Sequence, residues 1–151
     1  MASRTVPSPR DPRLKAWRTF LYAHAQVRRQ LERELQAEQA MGLADYELLL
    51  VLAYSPQRRL RMSELADALA LSRSGATRLI DRLEADGLVE RASCDTDRRG
   101  QWAQLTGGGY ERLRRASPTH LRGVACHFLD RIPDAELASL QRTLERVTER
   151  A

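Results

Sequence analysis

The side chains best suited to chemistry in this sequence are hydroxyls and guanidinium groups that share one face of a predicted helix. Such groups near a helix N-terminus can hydrogen-bond to base edges and phosphates in a DNA major groove. Apolar residues within positions 76–83 fall at helical spacing on the opposite face, so the polar face is not part of the core. The sequence therefore predicts a DNA-reading helix, with Ser72, Arg73, Ser74, Thr77 and Arg78 as candidate contacts.

A shorter predicted helix precedes this one and forms a helix-turn-helix with it. It begins at Ser63, a residue type favoured at helix N-caps, and carries Leu65 and Leu69 on one face. Ser72 caps the second helix, which ends at Gly87. Two capped helices joined by a short turn are the arrangement that places a recognition helix in a groove.

A hairpin pattern follows the helix pair directly. Positions 88–92 and 101–105 have strand character, and the polar stretch between them contains Asp97, Arg98 and Arg99. The fold predicted for the centre of the chain is therefore a winged helix-turn-helix, with a small β-hairpin as the wing.

Predicted helices flank this central module on both sides. A heptad-like stripe covers positions 14–35, and a second helix is predicted over 43–54. Helical spacing resumes at Gly107, and the apolar track of this predicted helix is interrupted near Pro118. Pro133 marks the start of a last predicted helix, whose apolar residues recur at alternating steps of three and four. A chain this small has little core for these stripes to face, so a second copy is expected to cover them. The alternative is a monomer in which they wrap the central module.

The predicted fold is thus mainly α with a small β-hairpin wing: a winged helix-turn-helix plus terminal dimerisation helices. A symmetric dimer would set two recognition helices roughly 34 Å apart, one duplex turn, as a palindromic site requires. The predicted divisions are a flexible N-terminal arm at 1–12, a helical dimerisation region at 13–42 and 107–151, and the DNA-binding lobe at 43–106.

The distribution of charge does not by itself identify a nucleic-acid binder. The net charge is +5, but positions 55–106 contain nine arginines and eight acidic residues and are nearly neutral. The DNA interpretation therefore depends on which face carries the arginines. A winged-helix module that binds protein instead of an operator remains an alternative.

The cysteine content and hydropathy indicate a cytoplasmic protein, at the nucleoid when bound to DNA. Two cysteines, Cys94 and Cys126, cannot form a disulfide framework, and no apolar run suggests a membrane span or signal peptide. No catalytic spacing, phosphate-binding glycine loop or metal-ligand pattern is present, so we expect neither an enzyme nor a cofactor.

The region from 60 to 106 resembles the MarR (multiple antibiotic resistance regulator) family of winged-helix transcription factors. The order of helices outside that region agrees with the family from about Leu14 to the C-terminus. Helix pair, spacing and wing signature all match, which makes the resemblance specific. The matching segments are Met62-Ser-Glu-Leu-Ala, Leu71-Ser-Arg-Ser-Gly-Ala-Thr-Arg-Leu-Ile-Asp-Arg-Leu-Glu, Gly87-Leu-Val-Glu-Arg, Asp97-Arg-Arg and Leu105-Thr106.

The resemblance implies a homodimeric regulator, by family default a repressor, that binds a pseudo-palindromic operator. The recognition helix would contact the major groove and its phosphates through the five residues named above. Arg99, beside Arg98, would enter the minor groove with Asp97 holding its side chain, although a solvated turn is the alternative. A structural ion pair with Asp81, Glu84 or Asp86 could instead hold Arg82. The arginines at 58, 59 and 61 are candidates for phosphate contacts or for solvated loop charges.

Family resemblance also implies release of DNA by a small aromatic or phenolic anion. The candidate effector pocket combines apolar bulk with polar groups, although core or interface roles are the alternative. A redox response through Cys94, close to Arg91, is a second hypothesis, whereas Cys126 is expected in a helix core. The candidate pocket residues are Trp17, His24, Arg28, Tyr46 and His120.

One feature departs from the family pattern, the triple glycine at 107–109. Each extra glycine costs about 1 kcal/mol against alanine inside a helix. We therefore expect a soft joint after the wing, either a delayed helix start or a hinge.

Overall fold

Six α-helices and a three-stranded sheet form the part of the chain that this computed structural model describes, residues 6–93 and 101–149. Short 3₁₀ turns at Pro56–Arg58 and Leu129–Arg131 lead into the first strand and the last helix. The observed class, mainly α with a small sheet, is the class that the sequence predicts. The elements are α1 (Leu14–Gln39), α2 (Leu43–Tyr54), β1 (Arg59–Arg61), α3 (Met62–Ala68), α4 (Arg73–Ala85), β2 (Val89–Ser93), β3 (Gln101–Leu105), α5 (Gly107–His127) and α6 (Asp134–Thr148).

Helix α2 lies at the centre of the core. Leucines occupy most of its length, and Leu48, Leu49 and Leu52 are fully buried. A helix that is apolar nearly all round must be covered on every side. The second half of α1, helix α5, the helix pair and the sheet supply that cover. Each fully buried leucine contributes about 1.5–3 kcal/mol of hydrophobic stabilisation.

The helix pair forms much as the sequence predicts, with one shift at its start. Helix α3 begins at Met62 rather than after Ser63, because the Glu64 carboxylate accepts a hydrogen bond from the Arg61 N–H at 3.0 Å. Ser63 is exposed and does not cap. The turn between the helices passes through Ala70 in the left-handed region, with φ 52°.

The sheet contains one strand more than the predicted hairpin. Its order is β1-β3-β2, all antiparallel, with Arg61 paired to Trp102 across β1 and β3. The predicted first wing strand is one residue out of place, since β2 starts at Val89. The Leu88 N–H donates to the Leu83 carbonyl at 2.9 Å, which assigns Leu88 to the end of α4.

The joint between the wing and α5 is closely packed rather than loose. Helix α5 starts at Gly107, so the expected delay in the helix start is wrong. The Thr106 hydroxyl accepts the Gly109 N–H at 2.9 Å and reaches the Gly87 carbonyl oxygen at 2.8 Å, so it caps α5 and ties it to the end of α4. A Cβ on Gly109 would lie 2.0 Å from the Leu88 carbonyl oxygen, so this glycine is required by close approach.

Helix α5 also runs through Pro118, where the sequence suggests an interruption. The cost of the lost N–H is offset by packing against α1. Gly123 lets the two helices approach, since a Cβ there would lie 2.6 Å from the Leu31 Cδ2 atom. Tertiary packing thus outweighs local propensity in this helix.

The first half of α1 and all of α6 expose large apolar side chains in the single chain. No residue of α6 is buried, and Trp17 of α1 and Val147 of α6 are 55% and 74% exposed. Within the described residues, no helix combines the length and the apolar character needed to span a bilayer.

Candidate nucleic-acid interface

Helix α4 separates an apolar face from a polar one. Ala76, Leu79, Ile80 and Leu83 are buried against the lobe. All five predicted contact residues are exposed on the outer side of the turn and helix. Neither Arg73 nor Arg78 pairs with an acidic side chain in the described ranges 6–93 and 101–149, so two guanidinium groups face solvent from the first turns.

The hydroxyl groups on this face are partly used by the helix itself. The Ser72 Oγ atom accepts the Gly75 N–H at 3.0 Å, which is the predicted N-cap. It also lies 3.2 Å from the Ser74 Oγ atom. The Thr77 hydroxyl donates to the Arg73 carbonyl at 2.9 Å. Each of these oxygens keeps capacity for one more hydrogen bond to an outside partner.

Arg82 is held in a structural ion pair, but its partner is none of the three acids expected. Its guanidinium donates to the Asp45 carboxylate of α2. Asp45 is far away along the chain, and the fold brings it beneath the end of α4. This pair anchors the recognition helix to the central helix of the core.

Asp81 and Glu84 bind Arg91 of strand β2 instead. The Arg91 guanidinium donates to both carboxylates, and its backbone N–H donates to the Glu84 Oε1 atom at 3.2 Å. The side-chain hydrogen bond to Asp81 is the main cause that raises the pKa of Arg91 above its ordinary value. No local sequence pattern predicts this pairing, because it depends on the packing of β2 against α4.

The tip of the predicted wing, with Asp97, Arg98, Arg99 and Cys94, lies outside the described residues. On the outer face of the described sheet, the guanidinium groups of Arg59 and Arg61 lie 4.9 Å and 5.4 Å from the centre of the Trp102 ring.

Arg58 lies in the same way over Tyr110, 4.0 Å from the centre of the ring. An arginine stacked on an aromatic ring keeps its hydrogen-bonding edge available for phosphate. Phosphate contact by these three arginines stays a prediction.

The residues predicted for an effector pocket fall into two groups. Tyr46 is buried and stacks on His120, with ring centres 4.3 Å apart, and its hydroxyl donates to the Ser117 Oγ atom at 3.3 Å. The His120 Nδ1 atom is buried and has no hydrogen-bond partner among the described residues. Burial lowers the pKa of His120, and the Glu47 charge opposes that shift.

Arg28 connects this buried pair to the exposed half of α1. Its guanidinium binds Glu47 through two hydrogen bonds of 2.5 Å and 2.9 Å. The hydrogen bonds to Glu47 raise the pKa of Arg28.

The second group stands on the exposed half of α1. Trp17 and His24 both lie there, and each stacks on Phe20, with ring centres 6.1 Å and 6.3 Å apart. A largely apolar cavity of about 460 Å³ lies between this part of α1 and α6. His24 and Arg28 line it, whereas Trp17, Tyr46 and His120 do not.

Two further points concern cysteine and metal chemistry. Cys126 is exposed, so its predicted place in a helix core is wrong. The next residue, His127, is the one that faces α1, where its Nε2 atom lies 2.6 Å from the Glu34 Oε1 atom. Within the residues that the structure describes, no group of three or more potential metal ligands converges.

Comparison with known proteins agrees with this geometry. A family model described as the MarR family matches residues 41–100. A putative transcriptional regulatory protein for the hcr operon of Thauera aromatica is 31% identical over 119 residues, covering 79% of this chain and 70% of that protein. The transcriptional repressor MprA of Escherichia coli is 38% identical over 90 residues, 58% of this chain. That match spans only 51% of MprA, about half its length.

A solved structure extends the likeness over almost the whole chain. Sco3205, a MarR family transcriptional regulator from Streptomyces coelicolor crystallised in complex with DNA, superposes with a TM-score of 0.85. It is 36% identical in sequence, and the match covers 99% of this chain and 92% of that chain.

Proposed function

The chain belongs to the MarR family of transcriptional regulators, and from that premise we propose that it represses transcription by binding a pseudo-palindromic DNA operator as a homodimer. The family is one of regulators and not of enzymes, in keeping with the absence of catalytic spacing in the sequence. Ser72, Arg73, Ser74, Thr77 and Arg78 contact the major groove and its flanking phosphates. Arg99, beside Arg98, enters the minor groove, and Asp97 holds its side chain in place.

The outward face of α4 carries this proposal. This face presents Arg73 and Arg78, which have no acidic partners in the described ranges. The opposite face of α4 is buried in the core. Rigid placement of guanidinium and hydroxyl groups is what base and phosphate recognition requires. The DNA complex of the related Sco3205 supports the same use of this fold.

A fluorescence anisotropy titration of the purified protein tests the proposal. The probe is the DNA upstream of its own gene, with a scrambled duplex as comparison, at fixed salt. Arg78→Ala and Arg99→Ala are each expected to weaken operator binding by about tenfold, as for one lost groove contact. Arg114→Ala, which removes an exposed pair with Glu111 on α5, is the matched control and is expected to bind normally. Normal binding by both test variants would favour a protein-binding module instead.

The homodimer is supported by the apolar surface that a single chain leaves uncovered. The exposed faces of α1 and α6 combine aromatic and aliphatic side chains. Monomeric proteins rarely expose a contiguous apolar surface of this kind to water. A second copy related by a two-fold axis covers both faces and duplicates the recognition helix.

The effector is proposed to be a small aromatic or phenolic anion that releases the operator. The cavity of about 460 Å³ has the size and apolar lining of ligand pockets, with His24 and Arg28 at its edge. The ion pair of Arg28 is half-exposed, so an incoming carboxylate can replace Glu47.

Salicylate tests the effector proposal. It is expected to release wild-type protein from the operator but not the Arg28→Met variant, with Arg29→Met as the neighbouring control. Equal release from all three proteins would contradict this assignment.

A further inference from the structure

The wing strand β2 is tied to the recognition helix by one arginine and two carboxylates. Arg91 is 22% exposed and reaches back from β2 to Asp81 and Glu84, which lie one turn apart on α4. The contact uses both terminal nitrogens of the guanidinium as well as the Arg91 backbone N–H. A planar fork with fixed donors restricts the relative orientation of its two partners.

The location of this cluster gives it consequences for DNA binding. Asp81 follows Thr77 by one helical turn, so it continues the face that carries the candidate major-groove contacts. Arg91 stands two residues before the end of β2, and β2 leads directly into the predicted wing tip. The cluster therefore joins the two surfaces that must contact neighbouring grooves at the same time.

We propose that Arg91 is a positioning residue that fixes the angle between the recognition helix and the wing, so that major-groove and minor-groove contacts form together. This inference rests on the proposed operator binding. Arg91 contacts no DNA in this scheme. It acts through Asp81 and Glu84, and its loss allows the wing to move relative to α4.

Neutralisation of charge is the competing explanation, because an unpaired Asp81 would repel phosphates. Three variants separate the two explanations. Arg91→Met leaves two uncompensated carboxylates. The triple variant Asp81→Asn/Glu84→Gln/Arg91→Met removes the link and both negative charges. The double variant Glu84→Arg/Arg91→Glu keeps the net charge of the cluster and restores a bridge with the partners exchanged.

Operator affinity and groove footprints are measured for each variant, with Arg114→Met as control. Positioning predicts that the triple variant binds about tenfold more weakly than wild type. Its minor-groove protection from hydroxyl radicals should fall while major-groove guanine protection persists. The exchanged pair should recover to within about threefold of wild type. Thermal melts confirm that each variant is folded.

Wild-type affinity and full minor-groove protection in the triple variant would overturn the positioning role and leave operator binding intact. Failure of the exchanged pair to recover, with a normal melt, would also count against it. If wild-type protein shows no preference for the operator, the proposed function itself is overturned, and this inference falls with it. Should Arg91→Met fail to fold, the other two variants still decide the matter.

Discussion

Ser72 has two roles that substitutions can separate. Its hydroxyl caps α4 through the Gly75 N–H, and it stands among the candidate DNA contacts. Alanine removes both roles, whereas aspartate keeps the cap because a carboxylate accepts the same hydrogen bond. A carboxylate facing phosphates is unfavourable, so aspartate should affect DNA binding alone.

We therefore expect Ser72→Ala to lower the free energy of unfolding by about 1 kcal/mol, as for other lost N-caps. Ser72→Asp should keep the wild-type unfolding free energy but weaken operator binding. Urea denaturation and operator titration of the same preparations measure the two effects. Ser74→Ala serves as the control for stability, since Ser74 bonds no backbone group at the helix start. Equal loss of stability in both Ser72 variants would contradict the capping role.

His120 predicts a pH dependence of stability. Burial lowers its pKa in the folded protein, so below about pH 6.5 the unfolded chain binds the proton more readily. The folded state is stabilised by the neutral, buried His120 ring above that pH, and this stabilisation is lost as the pH falls. The free energy of unfolding should therefore decrease as the pH falls below about 6.5.

His120→Gln should flatten this part of the profile. Chemical denaturation at several pH values gives the measurement. If the unfolding free energy changed equally with pH in wild type and His120→Gln, His120 would not be the source of the pH dependence. The pKa of His120 is lowered even though the charge of Glu47, on the facing helix, opposes that shift.

Ion pairs at the residue scale were the least predictable part of the sequence. Nearness in the sequence suggested Asp81, Glu84 or Asp86 as partners of Arg82. The observed partner, Asp45, comes from α2, and two of the expected acids bind Arg91. Local spacing describes which residues share a helix face, but contacts between elements depend on packing that the sequence does not display.

At the scale of elements, strong local signals were predictable and packing effects were not. Helix α4 has a capping serine, a regular apolar face and a glycine at its end, and each signal agrees with the others. Strand β1 has only three residues and gains its hydrogen bonds from β3, so the local sequence carries too little signal to predict it. The wing tip and the roles of its arginines stay predictions.

The triple glycine also shows why composition alone misleads. Gly107 and Gly108 have room for a side chain, whereas Gly109 packs directly against the backbone of Leu88. We expect Gly108→Ala to raise the free energy of unfolding by about 0.5–1 kcal/mol, from lower chain entropy in the unfolded state. Gly109→Ala should lower it by about 1–3 kcal/mol through overpacking. Urea denaturation of both variants is the test, and similar effects in the two would contradict the close approach.

For the whole molecule, the central question is what covers α1 and α6. Leu140 and Leu144 line the cavity beside α1 and belong to a helix without a buried residue. Introducing charge there should prevent a second copy from packing, while the lobe and its core remain folded.

Leu140→Glu/Leu144→Glu should therefore reduce the mass in solution from twice the chain mass of 17.2 kDa to a single chain. Analytical ultracentrifugation gives the mass, and operator affinity should fall with it because both half-sites are no longer held together. Tyr54→Glu, at an 85% exposed position at the end of α2, is the control for an added surface charge. A double variant that keeps the wild-type mass would place the dimer interface elsewhere.

Selective recognition of DNA by the proposed dimer is tested most directly by selection from genomic DNA. Purified protein is mixed with fragmented DNA of the source organism, and the bound fragments are recovered at fixed salt and sequenced. Operator binding by two recognition helices should enrich fragments that share an inverted repeat, with half-site centres about 10–10.5 base pairs apart or a multiple of that spacing. Recovery of fragments in proportion to their input, with no common repeat, would contradict operator recognition by this protein.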